Sequence, residues 1–343
     1  MNPEPEKPDA APAAEQRADA KPVKWTLPFR KRWPLLAGAL LGVLLRLIFS
    51  GDPGGIYSAM NGAFIYLTPV AVSGLTVYLA ETTKRRTWSY YFVAGAMANL
   101  FFVLGTMLIL IEGLICAVII LPMFMLQGGC AGLLMGTLCR WTKWPRHAVG
   151  GFAALPILLA SLVPQEPAVP VIGTLERSVQ IAAPPAQVWK QLMHTPNIRP
   201  GEVGSAWLYK IGVPLPESGE TRNAPEGLVR SVVMGSAIHF EQVATDWQEN
   251  QHVRWTYRFT EDSFPPQALD DHVAIGGHYF DIIDTTYTLT PLDAATTELR
   301  VQFRYRVSTD FNWYADAVAR LLIGNFEEVI LGFYRQRAIA APG

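Results

Sequence analysis

Apolar positions follow three patterns along the chain, and each predicts a different kind of element. From Trp33 to Val163 they run almost without interruption. A helix needs about 20 apolar residues to cross a hydrocarbon core. Residues 33–49, 56–80 and 147–163 each offer a candidate, the first and last of them short. Residues 88–139 are too long for one crossing at ~1.5 Å per residue. Glu112 and Gly113 form the natural break, giving spans at 88–111 and 114–139. Five spans are therefore expected, or four if residues 33–49 lie on the membrane surface instead. Pro69, Pro122 and Pro156 fall inside spans, where neighbouring helices absorb the kink.

Beyond residue 174 the period drops to two. Runs at Thr174–Ile181, Leu228–Met234, Ala237–Val243, His252–Phe259, His278–Thr290 and Glu298–Val307 alternate as half-buried strands do. In the last run Glu298, Arg300, Gln302, Arg304 and Arg306 alternate with Leu299, Val301, Phe303, Tyr305 and Val307. A helix carrying Val188, Trp189 and Leu192 starts near Pro184 and Pro185. Residues 196–226 are irregular and rich in Pro and Gly. From about 311 to 338 the period becomes helical: Ala319, Leu322, Ile323, Phe326, Ile330 and Phe333 lie on one stripe of a long helix.

Charge sharpens this division. Of 343 residues, only 17% are charged and half are hydrophobic, and the net charge is −1. Soluble domains carry about 25% charge, and a neutral chain has no basic field for nucleic acid. Residues 33–163 hold 10 charged residues, against 35 in residues 164–343. The Lys and Arg residues of the membrane half cluster at 30–32, at 84–86 and between Arg140 and Arg146. With five spans all three clusters fall on one side, which the positive-inside rule makes cytoplasmic. The C-terminal half is then expected to lie outside the cytoplasmic membrane. Trp33, Trp88, Trp141 and Trp144 sit at the expected interfaces, and Arg46 and Glu112 near the outer span ends, where snorkelling is expected.

Residues 1–32 have a polar, Pro- and Ala-rich composition without an apolar signal region, and are expected to be a disordered cytoplasmic tail. Residues 164–173 read as a stiff Pro-rich linker. Cys116, Cys130 and Cys139 all lie in the membrane half, which leaves the C-terminal half without a disulfide framework.

The order strand, short helix, antiparallel meander and long amphipathic C-terminal helix resembles the START-like (SRPBCC) superfamily, to which polyketide cyclases and birch-pollen-allergen-like proteins belong. The resemblance covers about 174–340 and is carried best by the segment from Val179 through Ala183, Pro184 and Pro185 to Trp189. The segments Gly276–Asp281 and Asn312–Ala315 are similar to a bacterial subgroup fused to membrane spans. The resemblance implies a transmembrane bundle joined to an α+β helix-grip domain, a curved antiparallel sheet wrapped on the long helix round an apolar cavity. It implies no common reaction.

Candidate chemistry is sparse. Asp270, Asp271, His272, His278 and Asp281 are close in sequence but lack the HxxxH or HExxH spacing of a metal site, and no nucleophile motif of the GxSxG or SxxK type occurs. No metal and no cofactor is expected. The inward aromatic set, Trp255, Tyr257, Tyr279, Tyr287, Phe303 and Tyr305, suits either a packed core or the lining of an apolar cavity, with Phe326 and Ile330 opposite on the long helix. Unbroken alternation from Tyr287 back to Tyr279 turns Asp281 inward as a polar anchor, whereas a bulge after Gly277 turns it to water.

Three functions remain open. The first is a membrane-anchored module that holds a lipid- or isoprenoid-like ligand, with the bilayer and an apolar small molecule as partners and no nucleic acid. The second is a cyclase- or hydrolase-type enzyme acting on such a ligand. The third is a structural or assembly protein with no ligand. Without a nucleophile–base constellation, binding is favoured over catalysis.

Overall fold

The computed structural model describes residues 32–142, 149–162, 168–265, 268 and 272–341. The tail before Arg32, Lys143, Trp144 and Arg146 of the third basic cluster, linker residues 164–167, Asp270 and Asp271 lie outside the described residues.

Five helices occupy the apolar half: α1 (Trp33–Ile48), α2 (Gly62–Glu81), α3 (Trp88–Leu108), α4 (Leu114–Trp141) and α5 (Val149–Leu162). Three of them, α2, α3 and α4, are long and apolar enough to cross a membrane, rather than the five expected. Among the described residues α1 has 16 and α5 has 14, about 24 and 21 Å against a ~30 Å core. Small residues set the helix spacing. A Cβ on Gly95 of α3 would lie 2.2 Å from the carbonyl oxygen of Gly128 on α4, so the two backbones touch. Asn99 Nδ2 donates to Ser73 Oγ at 2.9 Å and ties α2 to α3.

Among the described residues, the cluster of Lys84, Arg85, Arg86 and Arg140 lies at the end of this bundle opposite the C-terminal domain. Arg140 donates to the Arg86 carbonyl at 2.8 Å, at the end where α2 meets α3 and α4 terminates. Arg46, at the end of α1, pairs with Glu112, which precedes α4. Snorkelling is therefore corrected: both side chains are nearly buried, because each neutralises the other. Ser161, near the end of α5, hydrogen-bonds Tyr57 between α1 and α2 at 2.8 Å, so α5 returns to the Glu112 end.

The remaining chain forms β1 (Val171–Ile181), α6 (Pro185–Met193), β2 (His194–Thr195), α7 (Pro200–Val203), α8 (Trp207–Lys210), β3 (Pro216–Ala224), β4 (Gly227–Met234), β5 (His239–Gln248), β6 (His252–Arg258), β7 (Phe280–Pro291), β8 (Thr297–Val307) and α9 (Asn312–Ala340). The strands make one antiparallel sheet in the order β1-β8-β7-β6-β5-β4-β3-β2, curled round α9. This is the helix-grip arrangement. β1 begins at Val171, inside the stretch expected to be linker. The stretch expected to be irregular contains α7, α8 and β3. β3 escapes the period-two test because Glu217, Glu220, Thr221, Arg222 and Asn223 leave it almost no apolar face.

The two halves share a core. Phe311, just before α9, is buried in the bundle's own apolar cluster with Phe64, Phe102 and Phe124. Directed bonds fix the contact. Gly62 N donates to Asp310 Oδ2 at 2.6 Å, and Trp313 Nε1 donates to the Tyr66 hydroxyl at 2.9 Å.

Candidate ligand cavity

A cavity of about 370 Å³ lies between the concave face of the sheet and α9, and it continues among the ends of α2, α3 and α4 nearest Glu112. Its domain walls include Tyr257, Tyr287, Phe303, Leu322, Phe326 and Ile330, and its bundle walls include Met60, Ile65, Val103, Ile119 and Phe124. The size falls within the ~300–1,000 Å³ of ligand pockets.

Six of the nine residues expected at the site line it: Tyr257, Tyr279, Tyr287, Phe303, Phe326 and Ile330. Tyr279 does so from the junction, where its hydroxyl meets Ser58 Oγ at 2.6 Å and accepts from Gly54 N at 3.3 Å. Trp255 and Tyr305 are fully buried in the packed core instead. Tyr305 donates to Asp316 Oδ1 at 2.7 Å, and burial together with that carboxylate pushes its phenol up.

Asp281 also lies off the cavity. The register of β7 against β8 shifts between Ile282 and Asp284. One extra residue there reverses parity, so Phe280 and Ile282 face the cavity while Asp281 accepts from Gly276 N at 2.8 Å on the outer side. The bulge carries Asp284, itself buried, to a pair with the solvent-facing Arg304 at 3.2 Å.

The polar groups of the cavity gather at two places. At the end remote from the bundle, Arg230, Gln242 and Tyr257 line it in one cross-strand row on β4, β5 and β6, a row that Thr221 of β3 continues behind the lining. Arg230 is buried, and its Nη2 donates to Thr195 Oγ1 at 2.9 Å and to the Tyr334 hydroxyl at 3.2 Å. A Cβ on Gly219 would lie 2.5 Å from that nitrogen, so the glycine makes room for the guanidinium. Tyr257 meets Thr285 Oγ1 at 2.6 Å, and burial pushes its phenol up to about 12. Burial likewise raises Tyr287 well above the usual range. Both phenols are neutral at physiological pH, so they act as hydrogen-bonding groups and not as anions. Sequence reasoning missed Arg230, although Leu228, Val232 and Met234 share its strand parity and marked its face as the inner one.

At the bundle end, Glu112, Cys116 and His272 bring a carboxylate, a thiol and an imidazole within 4.8 Å of one another. These are zinc-type donors, but Arg46 already occupies the Glu112 carboxylate. The set joins α4 to the segment before β7, 156 positions along the chain from Cys116 to His272, so no local spacing announces it.

No protein-family model matches the chain, and no curated protein matches it in sequence. Among solved structures, the chain is similar to the Zhui aromatase/cyclase from Streptomyces sp. R1128, at 14% identity and a TM-score of 0.33, over 49% of this chain and 94% of that one. It is similar to norcoclaurine synthase from Thalictrum flavum, at 10% identity and a TM-score of 0.31, over 51% of this chain and 90% of that one. It is also similar to a START superfamily protein from Mycobacterium smegmatis, at 12% identity and a TM-score of 0.31, over 48% of this chain and 97% of that one. The helix-grip assignment itself rests on the strand order and on the packing of α9 against the concave face.

Proposed function

We propose that this protein is a membrane-anchored binding module that takes an apolar ligand from the bilayer into its helix-grip cavity. The observation that carries this reading is the continuity of the cavity: the same space is lined by α9 and by α2, α3 and α4. An apolar molecule moving through it exchanges one apolar surrounding for another and avoids the cost of exposure to water.

Three helices long enough to span support the anchoring. So does α1, whose Leu36, Leu40, Leu44 and Leu47 form an exposed stripe suited to lipid. The basic end, with Lys84, Arg85, Arg86 and Arg140, faces the cytoplasm in this reading, and the domain lies at the opposite, extracytoplasmic end. α1 and α5 complete the crossings as short helices beside the three long ones. An inner membrane of a bacterium is the proposed location.

The experiment is native mass spectrometry of the full-length protein released from detergent. An apolar ligand of constant mass bound to the protein is the expected result, and a ligand-free protein that takes up no lipid from labelled vesicles overturns the reading. Phosphatase and fluorescent-protein fusions to the C-terminus test the orientation separately.

A further inference from the structure

The closed end of the cavity holds a cation without a counter-ion. Arg230 is 7% exposed, and among the described residues no carboxylate lies within 4.0 Å of it. Its Nε has no hydrogen-bond partner. Two neighbours in the same cross-strand row share this condition: Thr221 Oγ1 and Gln242 Oε1 are buried and unpartnered. Buried polar groups are almost always satisfied, and an uncompensated buried charge is more costly still. Three such groups in one row, two of which, Arg230 and Gln242, line the end of an apolar space, describe the receptor for a polar head.

We propose that Arg230 anchors the carboxylate of a long-chain acid whose tail lies along α9 toward the membrane helices. The inference rests on the ligand-binding reading above and names the ligand class. A guanidinium fork matches a carboxylate in two parallel bonds, and one Arg balances one negative charge. The Tyr257 and Tyr287 hydroxyls line the same end and supply neutral donors. The end is closed by Tyr334, Tyr287 and Gln242, each 9% exposed or less. A terminal head group fits a dead end, whereas a phosphodiester must continue on both sides. The distance along α9 leaves room for an extended tail. Tyr314, which donates to the Ile119 carbonyl of α4, and Tyr334, which meets Arg230, are 20 residues apart on α9; at 1.5 Å per residue that is about 30 Å.

The test uses full-length protein in detergent with parinaric acid and its methyl ester, read by energy transfer from tryptophan. Wild-type protein is expected to bind the acid more than tenfold tighter than the ester. Arg230→Met is expected to abolish that preference while still binding the ester, which also shows that the variant is folded. Palmitate is expected to displace the bound acid, while hexadecanol and lysophosphatidylcholine are not. Equal affinity of wild-type protein for acid and ester overturns the anchor without touching the cavity reading, and needs no variant. A preference that survives in Arg230→Met, or displacement by lysophosphatidylcholine as strong as by palmitate, also overturns it. Binding of neither probe overturns the ligand-binding reading itself.

Discussion

The hydroxyl of Tyr279 meets Ser58 Oγ at 2.6 Å, and this buried bond joins the segment leading into β7 to the loop between α1 and α2. It crosses the junction where cavity and bundle meet. Tyr279→Phe keeps the ring and removes the bond, at an expected cost of about 1 kcal/mol. A double-mutant cycle with Ser58→Ala, read by thermal unfolding of the full-length protein, should return a coupling of similar size. Additive effects of the two changes would show that the bond does not hold the junction.

Core and cavity aromatics should respond differently to truncation. Trp255 is fully enclosed, and Trp255→Ala is expected to cost about 3–5 kcal/mol. Phe326 and Ile330 face the cavity, so their side chains lack close partners on one side. Phe326→Ala should therefore cost less in stability than Trp255→Ala and should weaken uptake of an apolar dye. Equal destabilisation with unchanged uptake would mark the cavity as packed and inert.

Glu327 of α9 predicts a pH dependence. Its side chain is fully buried, with Arg177 Nε at 3.8 Å, and burial pushes its carboxyl up to about 7 against the opposing pull of Arg177. A raised carboxyl means that the folded protein holds a proton which the unfolded chain releases. Stability is then full below about pH 4.5, falls as pH rises to about 7, and stays reduced above that, by up to ~3 kcal/mol. Glu202 shifts the other way, lowered by its bond from Arg337, so its window lies below that of Glu327. Thermal unfolding from pH 5 to 8 should show the decline in wild-type protein and a flat profile in Glu327→Gln. The same slope in both would assign the effect to another group.

The pair of Arg46 and Glu112 predicts how the zinc-type donors behave. Removing one partner of a buried ion pair costs about 3–5 kcal/mol, whereas replacing both is close to neutral. Arg46→Met should therefore destabilise more than the double change Arg46→Met, Glu112→Leu. With Arg46 in place, the purified protein should carry less than one equivalent of zinc, and added zinc should not raise its melting temperature. In Arg46→Met, zinc should recover part of the lost stability through Glu112, Cys116 and His272. Stoichiometric zinc in wild-type protein would overturn the competition.

What the sequence made legible follows from how locally each feature is encoded. β6, β8 and α9 could be read because one wet and one dry face persist through Arg254, Trp255 and Thr256, through Arg300 to Tyr305, and along the stripe from Ala319 to Phe333. β3 could not, since it is held by pairing with β4 and carries no apolar face of its own. Asp281 was undecided because one extra residue at the β7 bulge reverses parity, and alternation cannot locate that residue. Arg230 was legible in principle, being a lone cation among Leu228, Val232 and Met234. The Arg46–Glu112 pair and the approach of His272 to Cys116 depend on chain segments that only tertiary structure brings together.

The pairing of β1 with β8 has a consequence for biogenesis. Ile181 lies opposite Thr297, 116 positions later, and Val171 opposite Val307, 136 positions later. The first strand to leave the ribosome thus waits for the last one, and α9 emerges after both. Contacts so distant in sequence form slowly, because a long loop must close before any of them is rewarded. The concave pocket cannot exist until α9 has been made, and until then an unpaired strand edge stands exposed. A nascent chain of this protein should therefore depend on holding factors until α9 emerges, and truncation within α9 should yield a protease-sensitive product rather than a smaller working one.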